Sequence, residues 1–374
     1  MTIHRKLRLL AGFASAWVWS LSLATLSAQP FYQTNLVSDV PGLAATTDPN
    51  LINPWGMAFS ATSPFWVADQ GSSLSTLYTG AGAINPIVVT IPGGPTPPFG
   101  ATGVVQNGAT GFDLPSTTTA SHFIFDTLNG TIAAWASGTI ATTVAATPGA
   151  VYTGLAEATN STGSYLYAAN SAGTGSINVF NSSFAPVALA GSFTDPSLPA
   201  GYVPFNIQAI GSDLYVTYAE LGAHGVPVPG SAGFVVIYDT SGNFIQQLVS
   251  FGALDAPWGI TLAPAGFDQF GGDLLVGNFG NGEINAFDPT TGAYIGTIDG
   301  ANNLPIVNQD LWALDFRTGG TGDNPDTLYF TAGIDNQTEG LFGEIATTPE
   351  PSSFILAGLG LLALTVARLR PQPA

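Results

Sequence analysis

The sequence predicts an all-β fold, a six-bladed β-propeller of four-stranded antiparallel blades, and three observations carry that expectation. The apolar runs are short and end at Gly, Pro, Asn or Asp, the residues that stop strands and build turns. A phrase of three such runs recurs along the chain and is clearest at 255–288. Composition agrees, since 374 residues with 45% hydrophobic side chains, 46 Gly and 27 Pro suit a large, turn-rich β repeat protein. One four-stranded sheet cannot bury both its faces alone, so the copies must pack radially.

Taken in order, residues 1–29 read as a secretory signal peptide. Arg5, Lys6 and Arg8 precede an apolar run over 9–26, and small residues over 25–28 offer a cleavage site. Residues 31–37 form a lone strand. Blade one opens at Trp55 and continues at 65–69 and 75–78; blade two opens at Thr110, Gly111 and Phe112, followed by 123–126 and 130–135. Blade three takes 153–156, 165–170 and 176–180, and blade four 205–208, 213–218 and 233–238. Blade five is complete, with 258–262, 274–276, 283–287 and 293–298. Blade six has 311–316, 327–331 and 340–345 but no outer strand of its own. With Trp55, Phe112, Leu155, Phe205, Trp258 and Trp312 as equivalents, the intervals are 57, 43, 50, 53 and 54 residues. The lone strand at 31–37 is expected to complete blade six and close the ring. The propeller domain then spans 30–348, with loops over 91–100 and 221–233 long enough to carry binding residues.

Charge and cysteine content exclude several functions. There is no cysteine, hence no disulfide framework and no thiolate metal site. Five of the six basic residues lie near the two ends, leaving the domain with Arg317 alone against 23 acids, a formal net of −22. Nothing in it neutralises phosphate, so nucleic acid is excluded as a partner. Acidic polysaccharides and anionic membrane surfaces are disfavoured too, unless a divalent cation bridges. The acids either keep a secreted domain soluble or serve calcium.

Asp69, Asp126, Asn170, Glu220 and Asn278 each stand at or just after the end of a second strand. Of these, Asp69, Asp126, Asn170 and Asn278 are the candidate metal ligands, with calcium as the candidate ion. Equally, Asp and Asn there organise the hairpin by bonding turn amides. Trp55, Trp258 and Trp312, with Phe112 and Phe205, either fill the wedges between blades or form a platform for a sugar ring. Oxygen-rich loops at 323–326 and 335–339 fit either calcium or Asx turns. His122 and His224 are the only histidines of the domain, too few for a three-His zinc site, and no Gly-x-Ser-x-Gly elbow accompanies them.

The end of the chain carries Pro349, Glu350 and Pro351, an apolar run over 354–367, then Arg368 and Arg370. The run is short for a bilayer span, which takes ~20 residues. Its basic end favours the cytoplasmic side, leaving the folded domain outside. These three parts resemble the PEP-CTERM sorting signal of Gram-negative, exopolysaccharide-producing bacteria, which places a sorting tail with a short transmembrane helix at 349–374. The resemblance implies processing by an exosortase-type enzyme and delivery to the envelope, cell surface or extracellular matrix. A second resemblance rests on the phrases at 193–208, 256–267, 272–282 and 328–333, which are similar to a family of uncharacterised bacterial exported propellers. Single repeats such as 275–288 also resemble NHL repeats. That family implies the fold and offers no catalytic residues to carry over.

The expectation is therefore an exported, envelope- or matrix-sorted propeller acting as a non-enzymatic binding or scaffold module, with an exopolysaccharide or matrix component as possible partner. Two alternatives stand beside it, a calcium-dependent lactonase-like hydrolase and a carbohydrate-binding lectin.

Overall fold

The structure is a computed structural model describing residues 29–92, 100–222, 227–228, 230–317 and 324–347. Residues 1–28 of the signal segment, the tail with Pro349, Glu350, Pro351, Arg368 and Arg370, and His224 lie outside the described residues.

The expected short runs form antiparallel sheets arranged as six blades. The chain enters through β1 (Phe31–Ser38) and the two-residue β2 (Thr46–Thr47). Blade one is β3 (Pro54–Ala58), β4 (Phe65–Asp69), β5 (Leu74–Tyr78) and β6 (Val89–Thr90). Blade two is β7 (Ala101–Gln106), β8 (Phe123–Thr127), β9 (Thr131–Trp135) and β10 (Thr142–Ala146). Blade three is β11 (Tyr152–Asn160), β12 (Gly163–Asn170), β13 (Ser176–Asn181) and β14 (Pro186–Val187). Blade four is β15 (Tyr202–Ile210), β16 (Asp213–Glu220), β17 (Phe234–Asp239) and β18 (Phe244–Ser250). Blade five is β19 (Pro257–Leu262), β20 (Leu274–Asn278), β21 (Ile284–Phe287) and β22 (Tyr294–Thr297). Blade six is β23 (Leu311–Phe316), β24 (Leu328–Ala332) and β25 (Leu341–Thr347).

Each blade runs outward in chain order, and each inner strand lies against the next, with β23 returning to β3. The ring closes as expected: β1 pairs antiparallel with β25 from Phe31 opposite Thr347 to Ser38 opposite Leu341. Because the first and last strands share one sheet, the outer edge of blade six at β25 stays open until β1 is in place. Phe31 anchors it, with its ring 4.9 Å from Phe267 and 5.8 Å from Phe270.

One expected strand is misplaced. Blade two begins at Ala101, not at Thr110, because Thr102 and Gly103 offer the same Thr-Gly cue one turn earlier. Phe112 instead takes a positive φ of 56° and packs on Phe184 in the wedge between blades two and three. With Thr102 and Thr153 as the equivalents, Trp55, Thr102, Thr153, Phe205, Trp258 and Trp312 stand 47, 51, 52, 53 and 54 residues apart.

Candidate functional site

All six inner strands carry the same irregularity. The register against the second strand slips after Pro54, Ala101, Tyr152, Pro204, Pro257 and Leu311, a β-bulge at one position in every blade. The bulge holds the repeated residue, and glycine follows it in four blades because the next inner strand approaches closely. At Gly259 an added Cβ would stand 2.4 Å from the Trp312 carbonyl oxygen. In blade four Asn206 takes that place and donates from Nδ2 to the Trp258 oxygen at 2.9 Å.

The bulges aim the large side chains across the axis. Trp55 stacks on Trp312 with ring centres 3.6 Å apart, and Trp258 meets both edge-on at 6.2 and 5.7 Å. Phe205 closes on Trp55 and Trp312, and Phe279 lies 4.5 Å from Trp312. Blades two and three contribute only Thr102 and Thr153 here. The room they leave is used by Trp258, whose Nε1 donates to the Thr153 oxygen at 2.8 Å. Trp312 donates to Asn53 Oδ1 at 3.0 Å, whereas Trp55 Nε1 is buried without a partner. The three indoles and Phe205 are buried and so form no open sugar platform. They pack between neighbouring blades, as Trp55 does on Trp312, and also reach across the ring, Trp55 to Phe205 and Trp258 to Thr153. They plug the axis at the N-terminal ends of the inner strands.

Beyond the plug the channel is a funnel. Its neck is lined by inner-strand residues of all six blades, including Asn206, Trp258 and Leu314. Its mouth, about 200 Å³, is lined by Met57, Gln106, Glu157, Gln208 and Asp315 among others. Glu157 of blade three and Asp315 of blade six face it from opposite sides of the ring. Burial pushes the Glu157 carboxyl up to about 7, opposed in part by the Gly108 and Ala109 amides, and its Oε2 has no partner. Burial likewise holds Asp315 at about 7 although the Phe316 amide donates to it at 2.8 Å. Two carboxyls titrating near neutrality can accept from hydroxyls when ionised and donate when protonated. Arg317 sits apart from them, over Phe59 and Phe65 at 5.8 and 5.2 Å, donating to the Ser63 oxygen at 2.7 Å.

The candidate metal ligands fall into different registers. Asp69, Asn170 and Asn278 stand opposite the first residues of their inner strands, Pro54, Tyr152 and Pro257. Asp126 stands one residue earlier, since it is Thr127 that faces Ala101, and so points to the other face of its strand. Glu220 lies further out, opposite Tyr202, and is exposed.

Their bonds are local. Asp69 accepts from the Thr76 amide at 3.0 Å, and Asn170 Oδ1 from the Val151 and Ala172 amides. Asn278 donates to the Ala253 oxygen at 2.8 Å. Asp126 accepts from the Gly103 amide at 2.5 Å and the Thr102 hydroxyl at 2.8 Å, capping the bulge. Burial raises Asp126 to about 6 and Asp69 well above the carboxylate range. Among the described residues no three His, Asp or Glu side chains stand close enough together to hold a metal ion.

The loop residues are placed similarly. Asn324 Oδ1 accepts from the Asp326 amide in an Asx turn, while Asp323 lies outside the described residues. Asp335, Asn336 and Gln337 follow one another with positive φ. His122 is exposed, with its ring 6.1 Å from Trp135. Among the described residues no helix is long and apolar enough to cross a membrane; the expected transmembrane helix of the tail lies outside them.

Glu157, Gln208 and Asp315 were not singled out from the sequence. The available signal was a charged residue inside an otherwise apolar inner strand, Leu155 to Glu157 and Leu311 to Phe316.

The PEP-CTERM protein-sorting motif matches residues 347–370. An uncharacterized protein of Acanthamoeba polyphaga mimivirus is 30% identical over 332 residues, covering 83% of this chain and 84% of that protein. Among solved structures, a glucose dehydrogenase superposes with a TM-score of 0.53 at 12% identity, covering 85% of this chain and all of that one. A calcium-binding protein, regucalcin, from Agrobacterium tumefaciens gives 0.52 at 14% identity over 85% of this chain and 95% of its own. At such identities the two structures show a shared fold alone.

Proposed function

This chain belongs to the same family as the mimivirus protein, and from that premise and the geometry of the axis we propose that it is a non-catalytic binding or scaffold propeller. Its sorting motif implies export, recognition by exosortase-type processing and association with the surface or envelope of a Gram-negative bacterium. The observation that carries the binding reading is the aromatic plug. It fills the space on the axis with Trp55, Trp258, Trp312 and Phe205, leaving a mouth of about 200 Å³. That is below the ~300–1,000 Å³ of most small-molecule sites. A shallow mouth lined by amides and carboxyls suits the hydroxyls at the end or bend of a neutral glycan or polypeptide of the matrix. The 23 acids of the domain disfavour an acidic one.

The test is fractionation of an exosortase-bearing, exopolysaccharide-producing host expressing the full chain, followed by co-sedimentation of the processed protein with that host's purified exopolysaccharide. Processed protein in the envelope or matrix fraction that co-sediments supports the reading. Replacing Pro349, Glu350 and Pro351 by alanine is expected to leave the chain unprocessed. Processed protein that binds neither polysaccharide nor matrix protein counts against it.

One observation favours a hydrolase instead. Glu157 and Asp315 share a cavity and both titrate near 7, the range suited to general acid–base work. The regucalcin likeness adds the fold and no ligand set. The lectin reading loses its expected platform, because the indoles that would carry it are buried.

A further inference from the structure

The main-chain nitrogen of Gln29 donates to Asp268 Oδ2 at 2.8 Å. From this contact we infer that export processing cuts the chain between Ala28 and Gln29 and that the α-ammonium so created pairs with Asp268. The inference goes beyond the proposed function, resting on export but not on what the funnel binds.

The sequence alone leaves the cut open. Small residues at the last and third-last positions before the bond favour signal cleavage. Cuts after Ala24 and Ser27 have Ser22 and Thr25 third-last, whereas a cut after Ala28 has Leu26 there, so the sequence does not select Ala28. The structure separates them. Asp268 lies in a 3-10 turn, Asp268–Phe270, with a left-handed φ of 41°, and the flanking Phe267 and Phe270 hold the ring of Phe31. Two residues upstream of that clamp, the nitrogen of Gln29 meets the carboxylate.

Hydrolysis of the Ala28–Gln29 bond by a signal peptidase, with water as co-reactant, leaves a carboxylate on Ala28. The freed amine of Gln29 takes up a proton, because α-amino groups titrate near ~8. A neutral amide donor thereby becomes a cation beside an acid, in a domain whose other base is Arg317. Cuts after Ala24 or Ser27 would carry the charge away from Asp268 and leave only the amide bond. Because Phe31 also donates its amide to the Asp299 oxygen at 3.3 Å, the processed end ties β1 to blade five as well as to blade six. Processing thus finishes the ring closure that β1 begins.

The experiment is to secrete the full chain from a Gram-negative host and read the N-terminus of the recovered protein by intact mass and sequencing. A free Gln29 at the N-terminus is expected. An N-terminus at Thr25 or Ala28, or a cyclised and hence uncharged Gln29, overturns the inference; one at Met1 overturns export with it. The ion pair is then tested with Asp268→Asn and with a form retaining Ala28. Each is expected to lower Tm by about 1–3 °C, as for an exposed pair in a domain of this size, and the two together by no more than either alone. Additive losses, or no loss in either, would contradict the pairing.

Discussion

Replacing Trp312 by alanine is the sharpest test of the plugged axis. Its side chain is fully buried, stacks on Trp55 at 3.6 Å, touches Phe279, Trp258 and Phe205, and donates to Asn53 Oδ1. Truncating a buried Trp to Ala costs about 3–5 kcal/mol in lost transfer energy and residual cavity. Leaving Asn53 Oδ1 buried without its donor adds about 1–3 kcal/mol, while Asn53 Nδ2 still donates to Gln70 Oε1 at 2.6 Å. A total of about 4–8 kcal/mol is a large share of the ~5–15 kcal/mol that stabilises a typical domain.

Urea unfolding followed by circular dichroism should show that loss as a fall in midpoint with the slope unchanged. Trp312→Phe keeps most of the ring and removes the N–H, so about 1–3 kcal/mol is expected from it. Indole or benzene should raise the midpoint of the alanine variant and not of the wild type, as for a dry engineered cavity. A loss below about 1 kcal/mol for Trp312→Ala, with no response to either ligand, would show that the axis is not packed as described.

Other consequences follow from the same contacts. Gly259→Ala places a Cβ 2.4 Å from the Trp312 carbonyl oxygen, and since backbone cannot yield locally, about 1–3 kcal/mol is expected to be lost in the same urea assay. Phe31→Ala removes the ring clamped by Phe267 and Phe270 and is expected to cost about 3–5 kcal/mol, with β1 exchanging its amides faster than β11 or β15 in hydrogen exchange. For Glu157 and Asp315 the folded pKa, about 7 for each, exceeds the unfolded ~4, so the folded state holds protons that the unfolded state has released. Their contribution is therefore complete below pH ~4 and is lost as the pH rises towards ~7. Tm should fall across that window, less steeply in Glu157→Gln and Asp315→Asn, with Asp69 and Asp126 keeping part of the slope.

The ring was legible in the sequence where the repeat is strongest. Pro-Trp-Gly at Pro54 and again at Pro257 marks the inner strand, because the bulge needs a residue to send inward and the glycine lets the next strand close on it. The missing outer strand of blade six pointed to β1 because an edge must be covered. Blade two went astray because Thr102–Gly103 and Thr110–Gly111 look alike locally; only the ladder from Val104 to Phe125 tells them apart.

The same limit applies at the site. Asp69 and Asp126 both close a second strand in the sequence, but a one-residue difference in register turns them to opposite faces. Likewise the indoles were visible as repeats, while their direction depends on bulges that appear only when two strands are paired. Glu157 and Asp315 went unnoticed because no other blade repeats them. In a repeat protein, a residue that breaks an apolar strand in one blade alone is the better pointer to function.

Whether the propeller binds or also reacts is decided most directly by a turnover assay on the secreted, processed protein. A panel of sugar and acyl lactones would be followed by pH-stat, once in millimolar calcium and once in EDTA. The expected result is hydrolysis at the rate of buffer alone in both. Turnover above that rate which disappears in Glu157→Gln or Asp315→Asn would contradict the binding reading and make the funnel an active site.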